Sequence, residues 1–174
     1  MDKGDVIHET NKKRNETITE VNIDILQLVD KYVKDKELSE TLKKAEILLI
    51  PIDGYGNCFE PLFPEGTMAF YHALKRDEAL GKGTEICIED SEYKELALHA
   101  EVISLPLLIV LNGVLFPILA TFIKHYIEKY ILNSHNNPSI KASIVKRDGQ
   151  KYTKINFEGD AKSYLETLKK VKDD

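Results

Sequence analysis

The chain has 174 residues, 43% of them hydrophobic and 30% charged, which suits one domain or two small subdomains sharing a core. Its net charge of −5 argues against a general nucleic-acid binder, which carries a basic footprint. The two cysteines, Cys58 and Cys87, form no CxxC spacing, so a disulfide framework is not expected, and reduced thiols in a cytoplasmic protein are the default reading.

Residues 1–15 are polar and lack the apolar core of a signal peptide, which predicts a flexible lead. From a cap at Asn15 or Thr17, the residues Ile18, Val21, Ile25, Leu28 and Tyr32 recur at alternating spacings of three and four. This predicts a helix packed on a core, with Leu26, Val29 and Val33 widening the buried face. A short second helix is expected over Ser39–Ala45, with Leu38 and Leu42 inward. Ile47–Ile52 is apolar and rich in β-branched residues, as in a buried strand, and Pro51 places the strand's end near a sheet edge. Residues 53–66 combine glycines, prolines and an asparagine, which reads as a long ordered loop. Thr67–Arg76 fits two patterns. It reads as a helix capped by Thr67 that buries Phe70 and Leu74, or as a strand in which Met68, Phe70, His72 and Leu74 alternate. Gly81–Gly83 is a turn and Thr84–Ile88 a strand, and Tyr93–Ile103 is a further strand or the approach to the next segment.

Val102–Ile123 carries no charged side chain. At about 1.5 Å of helical rise per residue the run is long enough to cross a hydrocarbon core of about 30 Å. It is therefore read either as a buried central helix over 104–133 or as a membrane span over 102–123. Pro106, Asn112, Gly113 and Pro117 oppose the span, because a polar side chain and a helix-weakening glycine sit near its centre. The weak lysine bias of the flanks would also require export of the first hundred residues without a signal sequence. The buried helix is the preferred reading. It starts at a Ser104 cap with Pro106 in the first turn, and extends through Tyr126, Ile127 and Tyr130.

Residues 133–138 form a polar linker. Beyond it Ile140, Ala142 and Ile144 alternate, Asp148-Gly149 supplies a hairpin turn, and Thr153, Ile155 and Phe157 alternate back. Gly159-Asp160 then caps a terminal helix in which Tyr164, Leu165, Leu168 and Val171 share a face. A hairpin and one helix are too small to be stable alone, so this unit must dock on an apolar surface.

The loop Asp53-Gly54-Tyr55-Gly56-Asn57-Cys58 follows a strand, where α/β proteins often place binding residues. It has neither the end of a P-loop nor a full G-x-G-x-x-G pattern, and a structural turn is the alternative. Asp53, Tyr55, Asn57, Phe59 and Phe63 are the candidate ligand- or partner-binding residues. Phe59, Leu62 and Phe63 either cap the core or form a partner patch. Cys58 with His72 or His99, oriented by Asp53 or Glu95, would make a nucleophile–base pair, but no family signature surrounds them. His8, His72, His99, His125 and His135 are scattered without ligand spacing, so no metal site and no cofactor are expected. Glu89, Asp90 and Glu92 read as solvated turn charge.

From Ser104 onward, an apolar helix, a polar linker, an Asp-Gly hairpin and Phe157-Glu158-Gly159-Asp160-Ala161 opening a short helix form a layout similar to effector-associated components, small accessory proteins encoded beside bacterial immune effectors. The resemblance covers the last 70 residues or so and carries no catalytic residue. It implies an adaptor or sensor role in phage defence, acting by protein contact or at a membrane.

The expected architecture is α+β: an N-terminal helix, a small mixed sheet, a long apolar central helix, and a C-terminal β-hairpin plus helix. The expected segments are 1–15, an N-terminal subdomain over 16–103, the helix over 104–133, and a ββα unit over 134–174. The expected function is a non-enzymatic interaction or adaptor subunit that meets a protein partner or itself. A membrane-associated effector inserting 102–123 and a small thiol hydrolase using Cys58 are the alternatives. The expected location is cytoplasmic, or the cytoplasmic membrane if the span forms.

Overall fold

Ile47–Ile50 forms a strand whose four residues are all buried, because helices cover both of its faces. Ile47 and Leu49 join one apolar cluster, and Leu48 and Ile50 join another. A continuous apolar run is the signature of a strand covered on both sides. The same two-sided burial organises the rest of the chain. The computed structural model describes residues 14–54, 59–97, 102–130 and 138–172.

In chain order the elements are β1 (Asn15–Val21), α1 (Ile25–Tyr32), α2 (Lys36–Lys43), β2 (Ile47–Ile50), β3 (Phe63–Pro64), α3 (Thr67–Arg76), β4 (Thr84–Ile86), β5 (Glu95–Leu96), β6 (Val102–Ser104), β7 (Leu107–Val110), α4 (Phe116–Tyr130), β8 (Ser139–Asp148), β9 (Lys151–Asp160) and α5 (Ala161–Lys172). Seven strands make one mixed sheet in the order β1-β9-β8-β7-β2-β4, with β6 also paired to β8. β2 to β4 through α3, and β7 to β8 through α4, are parallel crossovers, whereas β1–β9, β8–β9 and β2–β7 are antiparallel. Strands β3 and β5 form a separate two-stranded parallel pair.

The sheet separates two helical layers. Phe70 and Leu74 of α3, Phe116, Leu119 and Ile123 of α4, and Tyr164 and Leu168 of α5 pack with Ile47, Leu108, Ile144 and Phe157. On the opposite face Val29 of α1 and Leu42 of α2 pack with Leu48, Ile50, Ile109 and Val145. Short helices hold this layer because their ends are satisfied. Asp24 accepts from the Gln27 amide at 3.1 Å and Asp35 from the Leu38 amide at 2.8 Å, both as N-caps. The Glu89 carboxylate accepts from the Lys34 and Asp35 amides at 3.2 and 2.9 Å, tying the α1–α2 corner to the chain beyond β4.

The long apolar central helix expected over 104–133 does not form. Val102–Ile123 is divided into β6, a break at Leu105-Pro106, β7, a 3-10 turn at Gly113–Leu115 and the first half of α4. Among the described residues no helix is long and apolar enough to cross a membrane, so the span over 102–123 has no helix to carry it. Asn112 makes the turn. Its Oδ1 accepts from the Val114 amide at 3.2 Å and its Nδ2 donates to Glu46 at 2.9 Å. The run is uncharged because Leu108 and Val110 face one helical layer, Ile109 faces the other, and the buried face of α4 follows directly.

The expected N-terminal helix starting near Thr17 is also corrected. Asn15–Val21 is a strand paired along its length with β9, and the helix begins only at Ile25, after the Asp24 cap. Thr67–Arg76 is a helix. Its N-cap is Gly66, at φ 88°, and not Thr67. Glu95 supplies the missing acceptor, at 3.0 Å from the Met68 amide. The expected short second helix lies over 36–43, the strand near 84 ends at Ile86, and the hairpin and terminal helix form where expected. The two-residue turn is Gly149-Gln150, with Asp148 opposite Lys151 and Gly149 at φ 62°. Asp160 accepts from the Ser163 amide at 3.3 Å at the start of α5.

Candidate functional site

Two prolines open the sheet. Strand β2 pairs with β7 in a register that sets Ile50 opposite Leu107, so the next step sets Pro51 opposite Pro106. Neither residue has an amide to donate, and the ladder stops there. Past Pro51 the chain turns away, and Ile52 and Leu62 exchange backbone bonds of 2.7 and 3.0 Å. On the other strand a bulge at Leu105-Pro106 gives the β6–β7 side one residue more than β8 between Ser104↔Lys141 and Leu108↔Ile144, which shifts the local course of the chain. Strand β6 is left with β8 as a neighbour on one side only, among the described residues.

The gap is a cavity of about 280 Å³. Ile52, Leu62, Pro64 and Leu96 line one side of it, the side of the β3–β5 pair, and Leu105, Leu107 and Ala142 line the sheet side. Its polar groups are Ser104, Ser143, Lys141 and Lys154. An apolar chamber with a few polar groups is the usual form of a recognition site. The side-chain ammonium groups of Lys141 and Lys154 make no hydrogen bond or ion pair with another described residue. Glu158 stands opposite Lys141 in the β8–β9 register but forms no ion pair with it. Ile52, in the cavity wall, is 38% exposed, and Phe59, three residues before Leu62 in the chain, is 98% exposed.

Of the sequence-derived candidates, Asp53, Phe59 and Phe63 lie among the described residues, and none of them lines the cavity. Asp53 lies on the turn after β2 and accepts from Lys31 Nζ and, at 2.6 Å, from the Tyr32 hydroxyl. Partial burial pushes its carboxyl up, but the bonds from Lys31 and Tyr32 outweigh this and hold it below the ordinary range. Burial, then the bond to Asp53, pushes the Tyr32 phenol above its ordinary value. The three groups satisfy one another, so Asp53 fixes the β2 turn onto α1. Phe59 is on the surface, whereas Phe63 is 1% exposed and stacks on Tyr93 with ring centroids 5.1 Å apart. Tyr55, Asn57, Cys58 and His99 lie outside the described residues.

The remaining chemical candidates have structural surroundings. His72 is exposed on α3. Glu95 is engaged by the Met68 amide and the Tyr93 hydroxyl. Cys87 is fully buried, and burial pushes its thiol up to about 12, which suppresses the reactive thiolate. Among the described residues no group of three His, Cys, Asp or Glu side chains could hold a metal ion. The cavity lysines and serines were missed in the sequence because Lys141 and Ser143 fall on the polar side of an alternating strand, where solvated residues look the same. The available signal was the pair of prolines ending two apolar strands.

No family model, curated protein or solved structure significantly matches the chain.

Proposed function

We propose that the chain is a non-enzymatic protein-interaction subunit that receives its partner at the cavity between β6 and the β3–β5 pair. The observation that carries this reading is an apolar chamber whose wall includes the partly exposed Ile52, with Phe59, three residues before the lining residue Leu62, 98% exposed. A large aromatic ring in water is costly to leave unused, and aromatic anchors next to pockets concentrate binding energy at interfaces. The net charge of −5 favours a protein over a nucleic acid as partner. The order α4, β8, β9, α5 is helix–hairpin–helix, a layout similar to that of effector-associated components, with the helix beginning at Phe116 and not at Ser104. It supports a setting as an accessory subunit of a bacterial defence system, acting in the cytoplasm.

The test compares the wild-type chain with Phe59→Asp and Ile52→Asp. Each is tagged in its native host, crosslinked and purified, and its mass is measured by light scattering. A stoichiometric protein partner, or a second copy of the chain, is expected with the wild type and lost in both variants. A strictly monomeric wild type with no partner, or a partner retained by both variants, overturns the reading.

A further inference from the structure

Three features converge on the cavity: an apolar chamber and, among the described residues, a strand edge without a neighbour and two lysine side chains without an ion pair. A volume of about 280 Å³ lies at the small end of ligand pockets, which run from about 300 to 1,000 Å³. That accommodates one large apolar side chain and is too small for a nucleotide-sized cofactor. The edge is β6, which pairs with β8 alone among the described residues. An unpaired strand edge accepts an extended peptide through its backbone groups. Lys141 and Lys154 line the same cavity without an ion pair among the described residues, in a chain where acids outnumber bases by 29 to 24. They project from the same face of the sheet, because Lys141 and Val145 share a face of β8 and Lys154 stands opposite Val145.

We infer that the site captures the free C-terminus of a protein partner: the terminal carboxylate at Lys141 and Lys154, the last side chain, an aliphatic or aromatic one, in the cavity, and the preceding backbone along β6. A carboxylate brought to two ammonium groups beside an apolar wall forms charge-assisted bonds that an amide or an internal chain segment cannot replace. The inference rests on the interaction reading above and specifies the chemistry of its partner. Ser104 supplies a hydroxyl at the same wall, and Ser143, whose hydroxyl donates to Asn156 Oδ1, can still accept there.

The test is a library of random heptapeptides displayed with free C-termini and selected on the full-length protein. Leucine, isoleucine, valine or phenylalanine should be enriched at the last position. Synthetic versions of the enriched peptides should lose at least tenfold in affinity when amidated at the C-terminus. They should lose a similar factor against the double variant Lys141→Gln/Lys154→Gln, whose circular dichroism and unfolding midpoint are measured alongside. Octanoate, a free acid of matching size, should compete only weakly. Absence of C-terminal enrichment overturns the inference, as does equal binding of acid and amide, or of wild type and a folded double variant. Octanoate binding more tightly than every selected peptide also overturns it, and makes a free aliphatic acid the occupant. Loss of a partner in Phe59→Asp with no C-terminal preference leaves the interaction reading standing and removes only this mode of capture.

Discussion

Tyr164 buries its whole ring against Phe157, with centroids 5.0 Å apart, and its hydroxyl has no hydrogen-bond partner among the described residues. An unsatisfied buried hydroxyl costs about 1–3 kcal/mol, whereas the ring itself stabilises the core. Tyr164→Phe is therefore expected to raise stability by about 1 kcal/mol, read as a higher urea midpoint with an unchanged slope. A clear fall in midpoint would show that the hydroxyl has a partner. A second residue-scale consequence concerns alkaline pH. Burial pushes Cys87 up to about 12, and pushes the phenols of Tyr32, Tyr93 and Tyr164 above their ordinary value, with Asp53 and Glu95 adding to the first two. These groups stay neutral in the fold while the unfolded chain ionises. Their contribution is complete below the unfolded values, near 8.5 for Cys and about 10 for Tyr, and is lost as pH rises through the folded ones. Urea midpoints should fall between about pH 9 and about pH 11, and Cys87→Ala should reduce the early part of that fall.

The turn between β7 and α4 decides how the longest apolar run of the chain is folded. Gly113 sits there with no room for a side chain, since a Cβ would lie 2.8 Å from the Arg147 carbonyl oxygen of β8. Gly113→Ala should destabilise the protein by about 1–3 kcal/mol, as overpacking does, measured by denaturant titration. A neutral effect would mean that the turn is not pressed against β8. The elements differ in how far the sequence discloses them. The β8–β9 hairpin was legible because Ile140, Ala142 and Ile144 on one strand and Ile155 and Phe157 on the other alternate toward one helical layer, with a glycine turn between them. Strand β2 was legible as a short β-branched run bounded by Pro51. Strand β1 was not, because it holds the sheet edge through backbone bonds to β9 while Ile18 is 54% exposed. Its only apolar residues, Ile18 and Val21, lie at a spacing that joins them to the true helical face beginning at Ile25. Strand β7 was hidden for the opposite reason. Burial on both faces removes alternation, and Leu107–Val110 then reads as one continuous rod with α4.

At the scale of the whole molecule, one sheet accounts for a charge-free stretch that a helix or a bilayer would otherwise have to explain. β7 lies between β2 and β8, and both helical layers close over it. The candidate site belongs to this scale too. Pro51, Leu62, Leu96, Ser104 and Lys141 are far apart in the chain, and only the arrest of the β2–β7 ladder at two facing prolines brings them to one cavity. Each residue looks ordinary in sequence, which is why the loop at 53–66 could be singled out but the chamber could not.

The most direct measurement is nuclear Overhauser spectroscopy of the isotopically labelled full-length chain, with hydrogen exchange at Leu107–Val110. The expected result is slow exchange of the buried strand amides, with cross-strand contacts from Leu108 to Leu49 on one side and to Ile144 on the other. A continuous helical pattern of sequential contacts from Ser104 to Tyr130, without those cross-strand contacts, would contradict the fold and remove the cavity with it.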